Sequence, residues 1–300
     1  MHPVIEQVCQ DVGQSLLGKP WQIRLALASI LCRGHLLIED LPGMGKTTLS
    51  HALASALGLT YKRIQFTSDL LPSDLTGVNI FDPQSRQFSF HPGPLFTQVV
   101  LADEINRASP KAQSALLEAM EERQISLEGK THSLPTPFFV IATQNPTDQA
   151  GTFPLPESQM DRFFMRLHLG YPPAEAERLL LKGGSPTRQT LKPRLDPEKI
   201  LNLQQAVEAV TVSDALLDYI QRILSHSRSS RDFGDGLSPR GGLALVAAAK
   251  AWAFLAGRSH VLPDDVQAIL PAVCEHRLGG SSRAGHHPLS ERILAEVRVL

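Results

Sequence analysis

The sequence predicts an α/β fold: a parallel sheet with helices on its faces, interrupted by two β-hairpins and followed by an all-α region. Three observations carry this. Short apolar strands alternate with amphipathic helices as far as residue 170, the pattern of a helix-wound parallel sheet. Two segments within that stretch instead alternate residue by residue about polar turns, which is hairpin spacing. After Tyr171-Pro172-Pro173 the strand signal stops and helical spacing takes over. A chain of 300 residues suffices for two domains with their own cores, and the expected division is 1–170 and 171–300.

In chain order, residues 35–39, 61–67, 98–104, 137–145 and 163–170 read as strands, short, apolar and bounded by Gly, Pro or Asp. Residues 46–57 form a helix with Leu49, Ala52, Leu53, Ala56 and Leu57 on one face, and Gly58 stops it. A second helix has Ser109 as N-cap and Pro110 at its first position, with Ala112, Ala115, Leu116, Ala119 and Met120 apolar. The hairpins are 79–90, about a turn at 82–87, and 123–134, about Glu128-Gly129-Lys130. Such insertions project from a scaffold and tend to carry partner contacts. A Gly/Ser/Pro-rich link at 183–186 then leads to helices near 196–210, 213–227, 238–256 and 263–277. Residues 279–287, rich in Gly and Ser, read as a solvent loop.

Composition narrows the class. With 42% hydrophobic and 20% charged residues the chain has the profile of a soluble globular protein. Its 29 basic residues nearly balance 30 acidic ones, which argues against a dedicated nucleic-acid binder. Cys9, Cys32 and Cys274 are scattered and form no CxxC pair, which suits a reducing compartment and neither a disulfide framework nor a zinc site. The polar, acidic start offers no signal peptide, and the apolar stretches 23–32 and 243–257 are too short or interrupted to span a bilayer. The expected location is the cytoplasm. The histidines show no HExxH or paired metal spacing, and His286-His287 read as solvated.

The chemistry-bearing segment begins at Asp40-Leu41-Pro42-Gly43-Met44-Gly45-Lys46-Thr47-Thr48, between a strand and a helix. This is a phosphate-binding loop in the right context. Gly43 and Gly45 let backbone N–H groups close on phosphate oxygens, and the helix start adds its unpaired donors. Lys46 reaches the β- and γ-phosphates, and Thr47 ligates Mg²⁺. Asp40 stands where the first glycine of the motif is usual.

The strand QVVLADE at 98–104 ends in two carboxylates. Asp103 suits the Mg²⁺ shell, and Glu104 suits the orientation and polarisation of an attacking water. An Asp-Glu pair alone is more often a solvated helix start; its place downstream of a phosphate loop reverses that. Asn145 ends the strand 137–143 as a neutral amide for the water or γ-phosphate, or else merely initiates an Asn-Pro turn. Arg162, before a core strand, and Arg240, in a helix first turn opened by Ser238-Pro239, are cations for a triphosphate or partners of nearby carboxylates. These residues point to binding and hydrolysis of a nucleoside triphosphate, expected to be ATP with Mg²⁺.

Taken together, these elements resemble an AAA+ ATPase: Walker A loop, hairpin, Walker B strand, second hairpin, Asn145, Asp161-Arg162-Phe163 and a helical lid with Ser238-Pro239-Arg240. More narrowly the chain is similar to the MoxR family, through QFTSDLLPSDLTG at 65–77, DEINRA at 103–108, FVIATQNP at 139–146 and GTFPLPESQMDRF at 151–163. The resemblance implies sensor roles for Asn145 and Arg240 within one subunit and an arginine finger, Arg162, reaching the next subunit's γ-phosphate. It also implies adenine contact at Leu17 and Gly18, a homo-oligomeric ring that is usually a hexamer, and chaperone-like work on a separate protein client, commonly with a von Willebrand factor A domain. Two rival readings remain: a helicase-like motor on nucleic acid, and a regulatory module that holds nucleotide without turnover. Gly241-Gly242 after Arg240, and Leu262 at a helix N-cap, depart from good helix starts.

Overall fold

Two helices precede the first strand, α1 (Pro3–Ser15) and α2 (Pro20–Leu31), and the residue pattern assigns neither. α2 is apolar almost all round, with Ile23 and Leu25 through Leu31 buried, so it shows no amphipathic period. What reads as an apolar stretch too short for a bilayer is a core helix. The computed structural model describes residues 3–145, 151–182, 191–230, 233, 236–279 and 288–299. The expected link at 183–186, Pro146, His286, His287 and most of the expected loop at 279–287 lie outside them.

The sheet is built from β1 (Leu36–Glu39), β2 (Tyr61–Gln65), β5 (Val99–Asp103), β8 (Phe139–Gln144) and β9 (Met165–Leu167). Between them lie α3 (Lys46–Ala56), α4 (Pro72–Thr76), the hairpin β3 (Gly77–Asp82) and β4 (Gln87–Pro92), α5 (Pro110–Glu122), the hairpin β6 (Gln124–Leu127) and β7 (Lys130–Ser133), and α6 (Glu157–Met160). The five strands are all parallel in the order β2-β5-β8-β1-β9. Both faces are covered, as a parallel sheet requires. Leu36, Ile38, Leu101, Ile141 and Met165 pack on one side with α1, α2 and α3; Leu37, Val100, Ala102, Val140 and Ala142 pack on the other with α5. Each expected strand is present but trimmed, and the segment 163–170 keeps only three strand residues because Leu169 and Gly170 turn their N–H groups to Asp40.

After β9 the chain is helical: α7 (Ala174–Leu181), α8 (Pro197–Glu208), α9 (Asp214–Ser229), α10 (Pro239–Leu255), α11 (Pro263–Cys274) and α12 (Pro288–Glu296). The only pairing among the described residues here is a single bridge, Thr211 to His260. Helices α8–α12 share one apolar cluster with α1–α3, and α2 is the seam: Trp21 meets Trp252 at 4.6 Å and Arg24 lies 4.4 Å over the Trp252 ring. The odd N-cap of α11 has a local remedy. Asp265, three positions after Leu262, accepts the Leu262 N–H at 2.8 Å and both Arg258 Nη atoms at 2.6 and 2.5 Å. The carboxylate therefore supplies the cap that the leucine side chain lacks.

Two expectations follow. Asp265→Ala strips a buried carboxylate from Arg258 and orphans the Leu262 N–H, so the urea midpoint should fall by the equivalent of about 2 kcal/mol; an unmoved midpoint would contradict this cap. His35 is buried between Met120 and β8, accepting the Val140 N–H on Nδ1 and meeting the Met120 carbonyl with Nε2 at 3.0 Å. Burial drives its pKa down to about 4. The unfolded imidazole, with a pKa near 6.5, binds its proton first, so stability is full at neutral pH and falls on acidification between about pH 6.5 and 4. His35 contributes on the order of 3 kcal/mol to that loss. His35→Gln should flatten the acid limb of a stability–pH curve measured by urea unfolding; an identical limb refutes the assignment.

Candidate functional site

The site grows from one end of the sheet. β1 is buried on both faces and ends at Glu39, where the chain leaves the sheet as a loop and re-enters structure at α3. Gly43 and Gly45 have φ of +84° and +94°, left-handed values that a side chain disfavours. At Gly45 a Cβ would also lie 2.6 Å from Leu16 Cδ1, so the turn after α1 rests on the loop. Asp40 replaces a glycine for a visible reason. Its buried carboxylate accepts the N–H groups of Leu169 at 2.5 Å and Gly170 at 2.9 Å, pinning the start of the loop to the end of β9.

Lys46 turns back over the loop and donates to the Asp40 carbonyl at 2.5 Å. Burial lowers its pKa, while the charges of Asp40, Asp103 and Glu104 pull it back up. The ammonium therefore feels both carboxylates of the second motif. Thr47 is exposed and Thr48 half-buried in the first turn of α3. Pro42 is exposed, and Met44 is half-buried against the core cluster that includes α1–α3. Leu17 is half-buried and Gly18 exposed in the turn after α1, where a Cβ on Gly18 would strike Pro173 at 2.6 Å.

β5 ends at Asp103, whose carboxylate is held at both oxygens, Oδ1 by one donor only: Oδ1 accepts the Thr143 hydroxyl at 2.6 Å and Oδ2 accepts Arg63 Nε and Nη2 at 3.0 and 2.6 Å. Glu104 follows with φ of +58°, a conformation that costs a non-glycine residue about 1 kcal/mol. Its N–H donates to the same Thr143 hydroxyl at 2.9 Å, and its carboxylate holds Gln65 Nε2 at 2.9 Å and Arg107 Nε at 3.1 Å. Asn145 is buried and follows Gln144, whose carbonyl accepts the Asp40 N–H at 3.2 Å. Thr143, Arg63 and Gln65 are contacts that sequence reasoning missed. Thr143 lay inside the quoted segment 139–146, but nothing in its surroundings says which strand it faces.

The arginines are elsewhere. Arg162 Nη1 meets Glu121 Oε2 at 2.9 Å and donates to the Leu117 carbonyl at 3.0 Å; Arg240 Nη2 meets Glu121 Oε1 at 2.5 Å. Both line a cavity of about 170 Å³ with His35 and Met120. His35 precedes β1 and Asp40 follows it, so this cluster lies roughly 15 Å along the strand from the phosphate loop. Arg240 and Asn145, expected to act within one subunit, thus lie toward opposite ends of β1. Glu121, at the end of α5, draws the first turn of α10 to the opposite end of the sheet.

Residues 35–165 match the model of the ATPase family associated with various cellular activities (AAA), and residues 225–297 match an AAA lid domain. The chain is 45% identical to the uncharacterized protein YeaC of Bacillus subtilis, over 93% of this chain and 88% of that one. It is 38% identical to the chaperone MoxR1 of Mycobacterium tuberculosis, over 91% of this chain and 75% of that one. A solved structure of a candidate ATPase from Cytophaga hutchinsonii superposes with a TM-score of 0.87 at 35% identity, covering 99% of this chain and 94% of that one. With the loop, the paired carboxylates and the helical region all in place, the chain belongs to the MoxR family of AAA+ ATPases.

Proposed function

We propose that the chain binds ATP with Mg²⁺ on the loop 43–48, hydrolyses it with water oriented by Glu104, and uses the cycle to remodel or mature a separate protein client. One observation carries this reading: β8 pairs with β1 on one side and β5 on the other, so the phosphate cation Lys46, a metal-ligating carboxylate and a base gather at the carboxyl ends of neighbouring strands, within reach of one another's charge. The donors suit the metal. Mg²⁺ favours oxygen ligands and few protein ones, completing its shell with water and phosphate. Thr47 and Asp103 offer that set, and no larger cluster of potential ligands occurs among the described residues. When bound, Mg²⁺ neutralises charge on the phosphate oxygens.

The chain's own groups do the rest. Lys46 exchanges the Asp40 carbonyl for phosphate oxygens. Glu104 exchanges the Gln65 amide for water and takes its proton, and Asn145 holds that water or the γ-phosphate. Leu17 and Gly18, beside the loop, take the adenine. Arg162 and Arg240, being at the far end of β1, serve the triphosphate of a neighbouring copy, where developing charge rewards a cation supplied in trans. A site completed between copies implies a closed ring. Six copies are what the family resemblance supports, and the domain division at 170/171 would let the helical part move with the nucleotide.

The first hairpin favours a protein client over nucleic acid. Val78, Ile80, Phe81 and Phe88 are exposed, and Phe81 and Phe88 pair at 5.3 Å. The flanking turns mix Arg86 and Lys130 with Asp82 and Glu128, not the cationic stripe that a phosphate backbone needs. A von Willebrand factor A domain protein is the client that the resemblance suggests. The free state of Cys9, Cys32 and Cys274 fits a cytoplasmic setting, and no described helix is long and apolar enough to cross a membrane.

Glu104→Gln should bind ATP as tightly as the unaltered protein while turning it over about 100-fold more slowly. In ATP that variant should retain its client in a pull-down, and unchanged turnover refutes the base. Arg162→Ala and Arg240→Ala should each lower kcat about 1,000-fold, yet leave fluorescent-nucleotide binding by the dilute chain unaltered. Lost binding in the dilute chain would place these arginines in their own subunit's site.

A further inference from the structure

The two arginines meet on a single acid. One oxygen of Glu121 takes Arg162 and the other takes Arg240, so one carboxylate sets two guanidinium groups side by side. Both helices carry the wrong charge for their ends. Glu121 lies in the last turn of α5, which holds no basic residue before the cap Arg123, and the helix dipole disfavours an anion there. Arg240 lies in the first turn of α10, where no acidic residue accompanies it and the dipole disfavours a cation. Each charge therefore opposes its own helix and is offset by the other across the junction between the sheet domain and the helical part.

Glu118 and Glu122 share a neighbouring cavity with Arg162, but Glu121 is the acid whose ion pairs reach both arginines. Asp161, beside Arg162 in sequence, is committed to Arg277 Nε at 2.7 Å and to the Ser238 hydroxyl at 3.2 Å. Arg277 is itself held chiefly by burial at a lowered pKa, and the charge of Arg240 pushes the same way, so Arg240 faces repulsion on that side. His35, the remaining titratable group lining the cavity, is kept neutral by burial.

We propose that Glu121 is a positioning residue that aligns Arg162 and Arg240 as one cation pair, presented together to the triphosphate of a neighbouring copy. This rests on the reading that both arginines act in trans. The neighbour's phosphates compete with Glu121 for the pair, so a change of nucleotide there pulls on α10 here. Glutamate is required for its shape and charge. A glutamine keeps one acceptor oxygen, but its amide N–H₂ faces a guanidinium that has only donors to offer.

The test uses the full chain in mixed assemblies. Glu121→Gln should lower kcat about ten-fold, since two long side chains must then be ordered at each turnover, and should leave fluorescent-nucleotide binding by the dilute chain unchanged. Mixed with Glu104→Gln, which lacks the base but has intact arginines, Glu121→Gln should regain turnover, because its own site then receives an aligned pair from its neighbour. That regain also reports that the Glu121→Gln chain is folded. Arg162→Ala mixed with Glu104→Gln is the comparator. Wild-type kcat in Glu121→Gln overturns the proposal, and so does failure to regain turnover when Arg162→Ala does. If neither mixture regains turnover, the trans reading of the arginines is what fails.

Discussion

The parallel pairing of β8 with β1 on one side and β5 on the other is the constraint on which the rest of the molecule depends. It places the end of β8 between the phosphate loop and the paired carboxylates. A single hydroxyl on β8 then holds both carboxylate-bearing residues, while the next residue, Gln144, takes the Asp40 N–H at the start of the loop. Thr143 donates to Asp103 and accepts from the Glu104 N–H, which steadies Glu104 in a left-handed conformation it would otherwise avoid. With β8 between them, β1 and β5 lie two strand spacings apart, about 10 Å, which leaves room for a ligand between loop and carboxylates.

Around this centre, buried charge is consistently paired. Asp40 holds backbone N–H groups at the end of β9, Glu39 meets Arg166 at 3.1 Å, and Asp103 is shared by Arg63 and Thr143. An unpaired carboxylate at these depths would cost several kcal/mol. The pairing also keeps the acids aimed, as the proposed chemistry needs. Arg63 and Gln65, both on β2, hold one acid each, so the edge strand of the sheet sets the resting geometry of both.

The opposite end of the sheet is organised by a different economy of charge. Asp161 and Glu121 divide three arginines between them, Arg277 to the first and Arg162 with Arg240 to the second. The junction between the sheet and the helices α8–α11 is apolar along α2 and ionic here. An apolar seam tolerates small shifts of packing, whereas an ion pair is made or broken.

The sequence by itself determined whatever is contiguous: the glycines and lysine of the loop, the two carboxylates at the end of β5, both hairpins, and the helical character beyond Tyr171. Such features are legible because local backbone geometry and a few adjacent side chains suffice for them. It did not determine α2, whose all-round burial erases the period by which a helix is read, nor the trimming of β9 by Asp40. Only the tertiary structure decided that Arg63 and Thr143 share Asp103, and that Arg240 joins Arg162 on Glu121 and not its own phosphate loop. These partners lie 40 to 119 residues apart. Strand order brings the first set together and helix packing the second, and both are set by the burial of whole faces, which no single motif records.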